Sequence, residues 1–236
     1  MACLHPFLRK IPGRTLDSGY YPVPCGRCLQ CLIDRRVQWQ DRLQFEMHDL
    51  APQQCNFVRL SYSDDNLPPQ GVDKKHIQDF LKRWRKHFPP NSLKYFIVAE
   101  YGDKGDPDGF HRPHYHCCFF GPWSRKSPPR YPTPYQMSYL SESWGHGYVD
   151  CRLLNSGRIR YILKYLDKQY TYKWHPTTDV PYWKSNNLNE PFLLCSKGIG
   201  ANFITTHPGV FTEDGYYVSE GGIKRPLQDT TVINSV

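Results

Sequence analysis

Helical periodicity is clearest at residues 73–88, where large apolar side chains recur every three or four positions. This spacing places them on one side of a helix and predicts a stripe buried against a core. A second helical pattern covers 157–170, and a looser one runs from Arg27 to about Leu50. The stripe of the first helix comprises Ile77, Phe80, Leu81, Trp84 and Phe88.

Strand-like segments lie between these helices. Residues 55–62 alternate between apolar and polar positions, as expected of a strand with two different faces. Residues 94–101 and 114–120 flank the turn-rich segment GDKGDPDGFHRP, which predicts a β-hairpin. Further short strands are predicted at 145–151 and 191–195. By contrast, the pattern predicts irregular structure at 1–26, a loop at 122–134 and a polar tail from about residue 223.

Composition narrows the kind of protein. With 39% hydrophobic and 15% aromatic residues, the chain of 236 residues is expected to fold around a sizeable core. It contains no apolar run of eighteen residues, so no membrane span is expected, and its first residues lack a secretory signal. The net charge of +8 favours a polyanionic partner, and exposed aromatic rings can stack on unpaired bases. Generic solubility is the alternative explanation of the charge.

Two histidines on the second hairpin strand are candidate metal ligands. His114 and His116 are two positions apart, so both rings point to one face of a strand. If the hairpin folds symmetrically about its loop, Glu100 lies opposite His114, and Val98 lies opposite His116. Glu100, His114 and His116 would then form a three-ligand site of the catalytic kind. The set suits zinc as well as magnesium or manganese, and the alternative is a pair of hydrogen-bonded strand histidines.

The helix predicted at 157–170 carries two tyrosines one turn apart. On a helical wheel Tyr161 and Tyr165 lie with Lys164 on the side opposite the aliphatic stripe, which is expected to face the core. A phenol has a pKa near 10, and a neighbouring ammonium group favours its nucleophilic phenolate form. The tyrosines are therefore candidate nucleophiles, with core packing as the alternative. Both this motif and the histidine pair are common by chance when taken alone.

Nine cysteines and no secretory signal argue for free thiols or metal ligands rather than disulfides. Cys25, Cys28 and Cys31 are spaced so that their sulfurs can bind one soft metal, with Cys3 or Cys55 as a fourth ligand. A structural zinc site is favoured over an iron–sulfur cluster, since Arg35 occupies the position where ferredoxin-type runs have their next cysteine. Unligated structural thiols are the remaining alternative.

Four segments together resemble one known family. They are VPCGRCLQC at 23–31, HRPHYHCCFFG at 111–121, WGHGYVD at 144–150 and YILKYLDK at 161–168. The chain resembles the replication initiators of gokushovirus-type microviruses, which are HUH endonucleases, with the initiators of phiX-type phages as more distant relatives. The resemblance implies that His114 and His116 form the HUH pair, with Glu100 as third ligand. It also implies that Tyr161 and Tyr165 are nucleophiles assisted by Lys164.

The fold that the resemblance implies is α+β, an HUH-like antiparallel sheet flanked by helices. The chain would then divide into an N-terminal cysteine-rich segment and helix (1–50), an HUH nuclease core (51–175) and a C-terminal extension (176–236). This last segment would pack on the core and end in the polar tail.

The implied function is rolling-circle replication of a small circular single-stranded DNA genome in the cytoplasm of the bacterial host. The chain would nick the origin through a 5′-phosphotyrosine, release a 3′-OH primer and later religate the strand. Mg²⁺ or Mn²⁺ at the HUH site and Zn²⁺ at the cysteines are the expected cofactors. Single-stranded origin DNA, a host helicase and the host replication machinery are the expected partners. Two alternatives are an HUH transposase or relaxase and a non-catalytic, zinc-containing single-strand-binding protein.

Overall fold

The computed structural model describes residues 3–10, 20–102, 111–121, 134–174, 180–210, 216–218 and 224–226. The remaining segments, including nearly all of the loop predicted at 122–134, lie outside the described residues. In chain order the elements are β1 (Phe7–Lys10), β2 (Tyr20–Val23), α1 (Leu29–His48), β3 (Cys55–Tyr62), α2 (Lys74–Trp84), β4 (Lys94–Tyr101), β5 (Pro113–Phe120), α3 (Pro134–Trp144), β6 (Gly147–Leu153), α4 (Ser156–Trp174), α5 (Tyr182–Ser185), β7 (Leu193–Cys195), α6 (Ala201–Thr206), β8 (Tyr216–Val218) and β9 (Lys224–Pro226).

Five of these strands form one antiparallel sheet in the order β6-β3-β5-β4-β7. Helices flank this sheet, so the predicted α+β class with an antiparallel sheet is confirmed. β4 and β5 form the predicted hairpin, and Glu100 pairs with His114 while Val98 pairs with His116. The symmetric register expected from the sequence is therefore also confirmed.

Each face of the sheet buries its own core. Side chains that alternate along β3, β4 and β5 divide between the two faces because neighbouring strand residues point in opposite directions. One face packs against α2 and α3 through an aromatic cluster that includes Phe80, Trp84 and Trp144. The other packs against α1 and α4 through a cluster that includes Leu43 and Ile162. The histidines of β5 belong to this second face, beneath α4.

Local sequence signals explain the helix bounds. α2 begins after Asp73, whose carboxylate accepts hydrogen bonds from the backbone amides of Lys75 and His76. The helix ends at Trp84, earlier than predicted, and a 3₁₀ turn at Arg85–His87 continues it. Among the helices of the described residues, none is long and apolar enough to cross a membrane.

Several elements differ from the sequence-based expectation. Residues 1–26 were expected to be irregular, yet β1 and β2 pair as an antiparallel hairpin there. α3 was not predicted, since its apolar residues form a weak stripe. The expected polar tail contains β9, which pairs with β8. Hydrogen bonding between backbones forms these short strands, and it leaves little trace in a hydrophobic pattern.

The three proposed segments remain a prediction, although two contacts cross their boundaries. α1, from the first segment, packs against α4 through the core that contains Leu43. β7, from the third segment, adds an edge strand to the sheet by pairing with β4.

Candidate metal and nucleophile site

Three predicted ligands meet on the face of the sheet beneath α4. Glu100 Oε1 lies 2.8 Å from His114 Nε2 and 2.8 Å from His116 Nε2, and the two Nε2 atoms are 3.2 Å apart. All three side chains are buried. The hairpin register produces this arrangement, because residues opposite each other on neighbouring strands point to the same face. We call Glu100, His114 and His116 the triad.

Hydrogen bonds fix the protonation of the triad. Burial alone would raise the pKa of Glu100, but hydrogen bonds from His114 and His116 outweigh it and hold that pKa below its ordinary value. His114 Nδ1 lies 3.1 Å from the carbonyl oxygen of Arg112. A proton on Nδ1, donated to this carbonyl, leaves the lone pair of Nε2 directed at the other two groups.

The triad has the donor set and spacing of a metal site. Ligand atoms bound at about 2.1 Å and at right angles lie about 3 Å apart, close to the separations observed. One carboxylate and two imidazoles on neighbouring strands leave the remaining positions of a cation open, as catalytic sites require. The same donors accept Zn²⁺, Mn²⁺ or Mg²⁺, so the geometry fits a divalent cation without selecting one.

The two predicted nucleophiles lie directly over His116. The ring of Tyr165 stacks on the imidazole with centroids 4.7 Å apart, and the ring of Tyr161 meets it edge-on at 5.2 Å. The Tyr165 hydroxyl donates a hydrogen bond of 2.5 Å to the Tyr161 hydroxyl. One turn of α4 therefore brings both hydroxyls together beside the triad, as their spacing of four residues requires.

The tyrosines differ in exposure, and here one expectation was wrong. Tyr161 is 38% exposed, but Tyr165 is 8% exposed and belongs to the core between α4 and the sheet. The helical wheel placed both on the side away from the core. Tyr165 neighbours Ile162 on that wheel, however, and α4 is turned so that Tyr165 reaches His116. Lys164 is exposed on α4.

Sequence reasoning missed Arg59 and Phe57, which flank the triad on β3. Arg59 pairs with His116 across the strands, so its half-buried side chain points to the face of the triad. The ring of Phe57 stacks on His116 with centroids 5.6 Å apart, so that His116 contacts Phe57 and Tyr165. The alternation of β3 indicated which of its residues share a face. Only the β3–β5 register, however, places that face beside His116.

A second group of candidate ligands lies at the start of α1. The sulfurs of Cys3 and Cys28 are 3.8 Å apart, those of Cys25 and Cys31 are 3.9 Å apart, and all four lie within 4.8 Å of one another. Four thiolates around one zinc at about 2.3 Å are spaced about 3.8 Å apart. We call Cys3, Cys25, Cys28 and Cys31 the cysteine cluster. The structure brings together the four predicted cysteines, and Cys55 lies instead in the core of β3.

Backbone amides surround the sulfurs of this cluster. The amides of Cys25 and Cys28 donate to the sulfurs of Cys3 and Cys25, both at 3.3 Å. A hydrogen bond from the Cys31 amide is the main cause that lowers the pKa of the Cys28 thiol to about 6. Burial raises the pKa of Cys31 to about 12. The cluster thus favours negative charge on some of its sulfurs, as soft-metal ligands require.

Comparisons with known proteins agree with this site. Residues 55–170 match a family whose description is Replication-associated protein ORF2. This range contains the triad and both tyrosines, while the cysteine cluster lies outside it. No solved structure matches the chain.

Two viral proteins are similar over most of the chain. Replication-associated protein ORF2 of Spiroplasma virus 4 is 29% identical over 230 residues, which cover 86% of this chain and 64% of that protein. Replication-associated protein ORF4 of Chlamydia phage 1 is 31% identical over 225 residues, which cover 89% of this chain and 53% of that protein. The chain thus spans less than two thirds of either relative. These matches confirm the resemblance to microvirus-type replication initiators that the motifs predict.

Proposed function

We propose that this chain is a replication initiator of the HUH class, a metal-dependent endonuclease that nicks and religates single-stranded DNA at a phage origin. One observation carries the proposal. The hydroxyls of Tyr161 and Tyr165 are in contact, and both rings pack on a histidine of the triad. Two nucleophiles beside one cation site suit an enzyme that must transfer a DNA strand twice.

The comparisons and the charge support the same proposal. Both similar viral proteins are named replication-associated, and the matched family carries that description as well. The net charge of +8 suits the phosphate backbone of single-stranded DNA. From this function follow the proposed partners and location: origin DNA, a host helicase and replication machinery, in the cytoplasm of an infected bacterium.

Tyr161 is the proposed first nucleophile. It is the more exposed of the two tyrosines, so an incoming strand reaches it before Tyr165. It also accepts the hydrogen bond from Tyr165, and such a bond favours the phenolate form of the acceptor.

In the first cleavage the Tyr161 oxygen bonds to phosphorus as its own proton leaves. The bond from phosphorus to the 3′ oxygen breaks, and that oxygen takes up a proton to become the 3′-OH primer. The products are a 5′-phosphotyrosine on Tyr161 and a DNA end that a polymerase can extend.

Tyr165 acts in the second transfer. Once replication has regenerated the origin, the Tyr165 oxygen attacks the new junction and releases a second 3′-OH. This hydroxyl then attacks the phosphotyrosine at Tyr161, closes the circle and returns the phenol. Because the two hydroxyls are adjacent, a small shift of the strand suffices for both reactions.

The remaining groups bind and orient the phosphate. Glu100, His114 and His116 are the proposed ligands of Mg²⁺ or Mn²⁺, which when bound would polarise the scissile phosphate. Arg59 lies beside His116 and can pair with a phosphate oxygen through its planar guanidinium. Lys164, exposed next to the tyrosines, adds a second positive charge. At the cysteine cluster the proposed ion is Zn²⁺, in a structural role.

A covalent-adduct assay tests the function. The chain is incubated with Mn²⁺ and circular single-stranded DNA of the phage that encodes it, and protein-linked DNA is measured on denaturing gels. We expect an adduct that the double variant Tyr161→Phe/Tyr165→Phe abolishes. The control is Tyr148→Phe, since Tyr148 is exposed on β6 and points to the same face of the sheet.

Peptide mapping of the adduct identifies the attached residue. A DNA-linked peptide without Tyr161 or Tyr165 would overturn the assignment of the nucleophiles. Binding of the DNA without any adduct, under every divalent cation tried, would instead identify a binding protein and refute the endonuclease.

A further inference from the structure

A third group of metal-ligating side chains lies away from the triad and the cysteine cluster. His48 is the last residue of α1, Asp49 follows it, and His207 comes directly after α6. The two helices contact each other, so the end of one meets the end of the other. This group has no part in the proposed function.

The ligand atoms of this group converge on one carboxylate. Asp49 Oδ1 lies 3.1 Å from His48 Nδ1 and 3.4 Å from His207 Nε2. One ligand atom from each residue lies within 4.8 Å of the other two. These separations are those of three ligands around a transition metal at about 2.0–2.2 Å.

Neighbouring residues hold both imidazoles in this orientation. The ring of His207 stacks on Phe203 with centroids 4.5 Å apart, and the ring of His48 meets Phe203 edge-on at 5.0 Å. The other nitrogen of His207, Nδ1, lies 2.8 Å from Thr206 Oγ1, which leaves Nε2 for the carboxylate side. Metal-bound histidines typically have such a partner on their second nitrogen, because it fixes the ring and its tautomer.

We propose that His48, Asp49 and His207 bind a transition-metal ion of the zinc class. Two imidazoles and one carboxylate are ligands that Zn²⁺, Co²⁺ and Ni²⁺ accept. All three residues are at least partly exposed, so water can complete the coordination. The ion would join the end of α1 to the end of α6 and so tie the C-terminal part of the chain to the helix that carries the cysteine cluster.

Zinc-binding stoichiometry tests this site directly. Bound zinc per chain is measured by equilibrium dialysis at micromolar zinc for the full chain and for the variants His207→Gln and Asp49→Asn. We expect each variant to bind one zinc fewer than the parent. His87→Gln is the matched control, a histidine that also contacts aromatic rings but lies outside the group, and it should bind as many ions as the parent.

Two further measurements protect the test against misfolding. Thr206→Val keeps all three ligands but removes the partner of His207 Nδ1, so we expect zinc affinity to fall about ten-fold. In the unaltered protein, nitrogen NMR of the histidine rings should show His48 Nδ1 and His207 Nε2 shifting on addition of zinc. Equal zinc counts in the parent and both ligand variants, or rings that do not shift at saturating zinc, would overturn the proposal.

Discussion

The triad and the cysteine cluster are both groups of potential metal ligands, but the chain assembles them in opposite ways. The triad is buried in the middle of a five-stranded sheet, where the register of two paired strands determines which side chains meet. The cysteine cluster is gathered from a short N-terminal segment and the first turn of α1, with Cys3 distant in sequence from the other three. One depends on strand pairing and the other on a loop.

This difference indicates different roles. Two tyrosines pack on the triad, and an arginine and a lysine lie close by, so a phosphate bound there would meet nucleophiles and positive charge. The cysteine cluster offers four ligands to one ion and thereby fills a tetrahedral site, which is typical of structural zinc. Changes at the two groups should therefore affect different measurements.

The largest expected effect on nicking comes from losing a ligand of the triad. His114→Ala or His116→Ala should reduce covalent-adduct formation at least about 100-fold, because two ligands cannot hold the cation and Glu100 loses a partner. The control is His76→Ala, a half-buried histidine next to Tyr62 on the opposite face of the sheet. EDTA should inhibit the unaltered chain equally, and nicking at full rate in EDTA would contradict the metal site.

The triad was predictable because a strand has a period of two and a hairpin has a central loop. These two regularities placed Glu100, His114 and His116 together without any tertiary information. For the cysteine cluster, spacing alone grouped Cys25, Cys28 and Cys31. The choice of Cys3 over Cys55 depended on how the N-terminal segment folds back, and the hairpin of β1 and β2 was not foreseen.

Residues whose role depends on packing between elements were harder to predict. Arg59 reaches the triad because β3 pairs with β5, a contact between strands that are distant in sequence. Tyr165 is buried because the whole of α4 is turned toward the sheet, which a helical wheel of that segment alone does not determine. Local periodicity thus predicted the elements and the hairpin, whereas the environment of each nucleophile required the assembled fold.

Single tyrosine variants should separate the two transfers. Tyr161→Phe should slow the first cleavage more than Tyr165→Phe does, since Tyr161 is more exposed and accepts the hydrogen bond. Each variant should still form an adduct through the remaining tyrosine, and neither should release a closed unit-length circle. The measurement is peptide mapping of the adduct together with gel analysis of circular products. A single variant that still produces circles at the parent's rate would identify a one-tyrosine enzyme.

A smaller effect is expected at Arg59. Arg59→Gln keeps the length of the side chain but removes its charge and its paired donors, so we expect nicking to slow about ten-fold at unchanged melting temperature. Arg152→Gln on β6 is the control, because Arg152 is exposed and pairs with Asp150. The measurement is the initial rate of adduct formation over a range of DNA concentrations. Equal rates in the two variants would remove Arg59 from the phosphate site.

The smallest effect on nicking is expected at the cysteine cluster. Cys28→Ser replaces a thiolate ligand at the N-terminal end of α1 by a hydroxyl that binds zinc poorly, so the cluster should lose its ion. α1 packs against α4, and we therefore expect the melting temperature to fall by more than about 5 °C. Well below that temperature the rate of adduct formation should stay within about two-fold of the parent, because the triad and both tyrosines are unchanged. Cys118→Ser is the comparison, since Cys118 is a buried thiol outside the cluster, and its replacement should leave the zinc content unaltered. The measurements are bound zinc, thermal unfolding and the adduct assay on the same preparations. If the parent carries no zinc at the cluster and Cys28→Ser melts at the parent's temperature, the four sulfurs are ordinary thiols and only the triad remains as a metal site of the two.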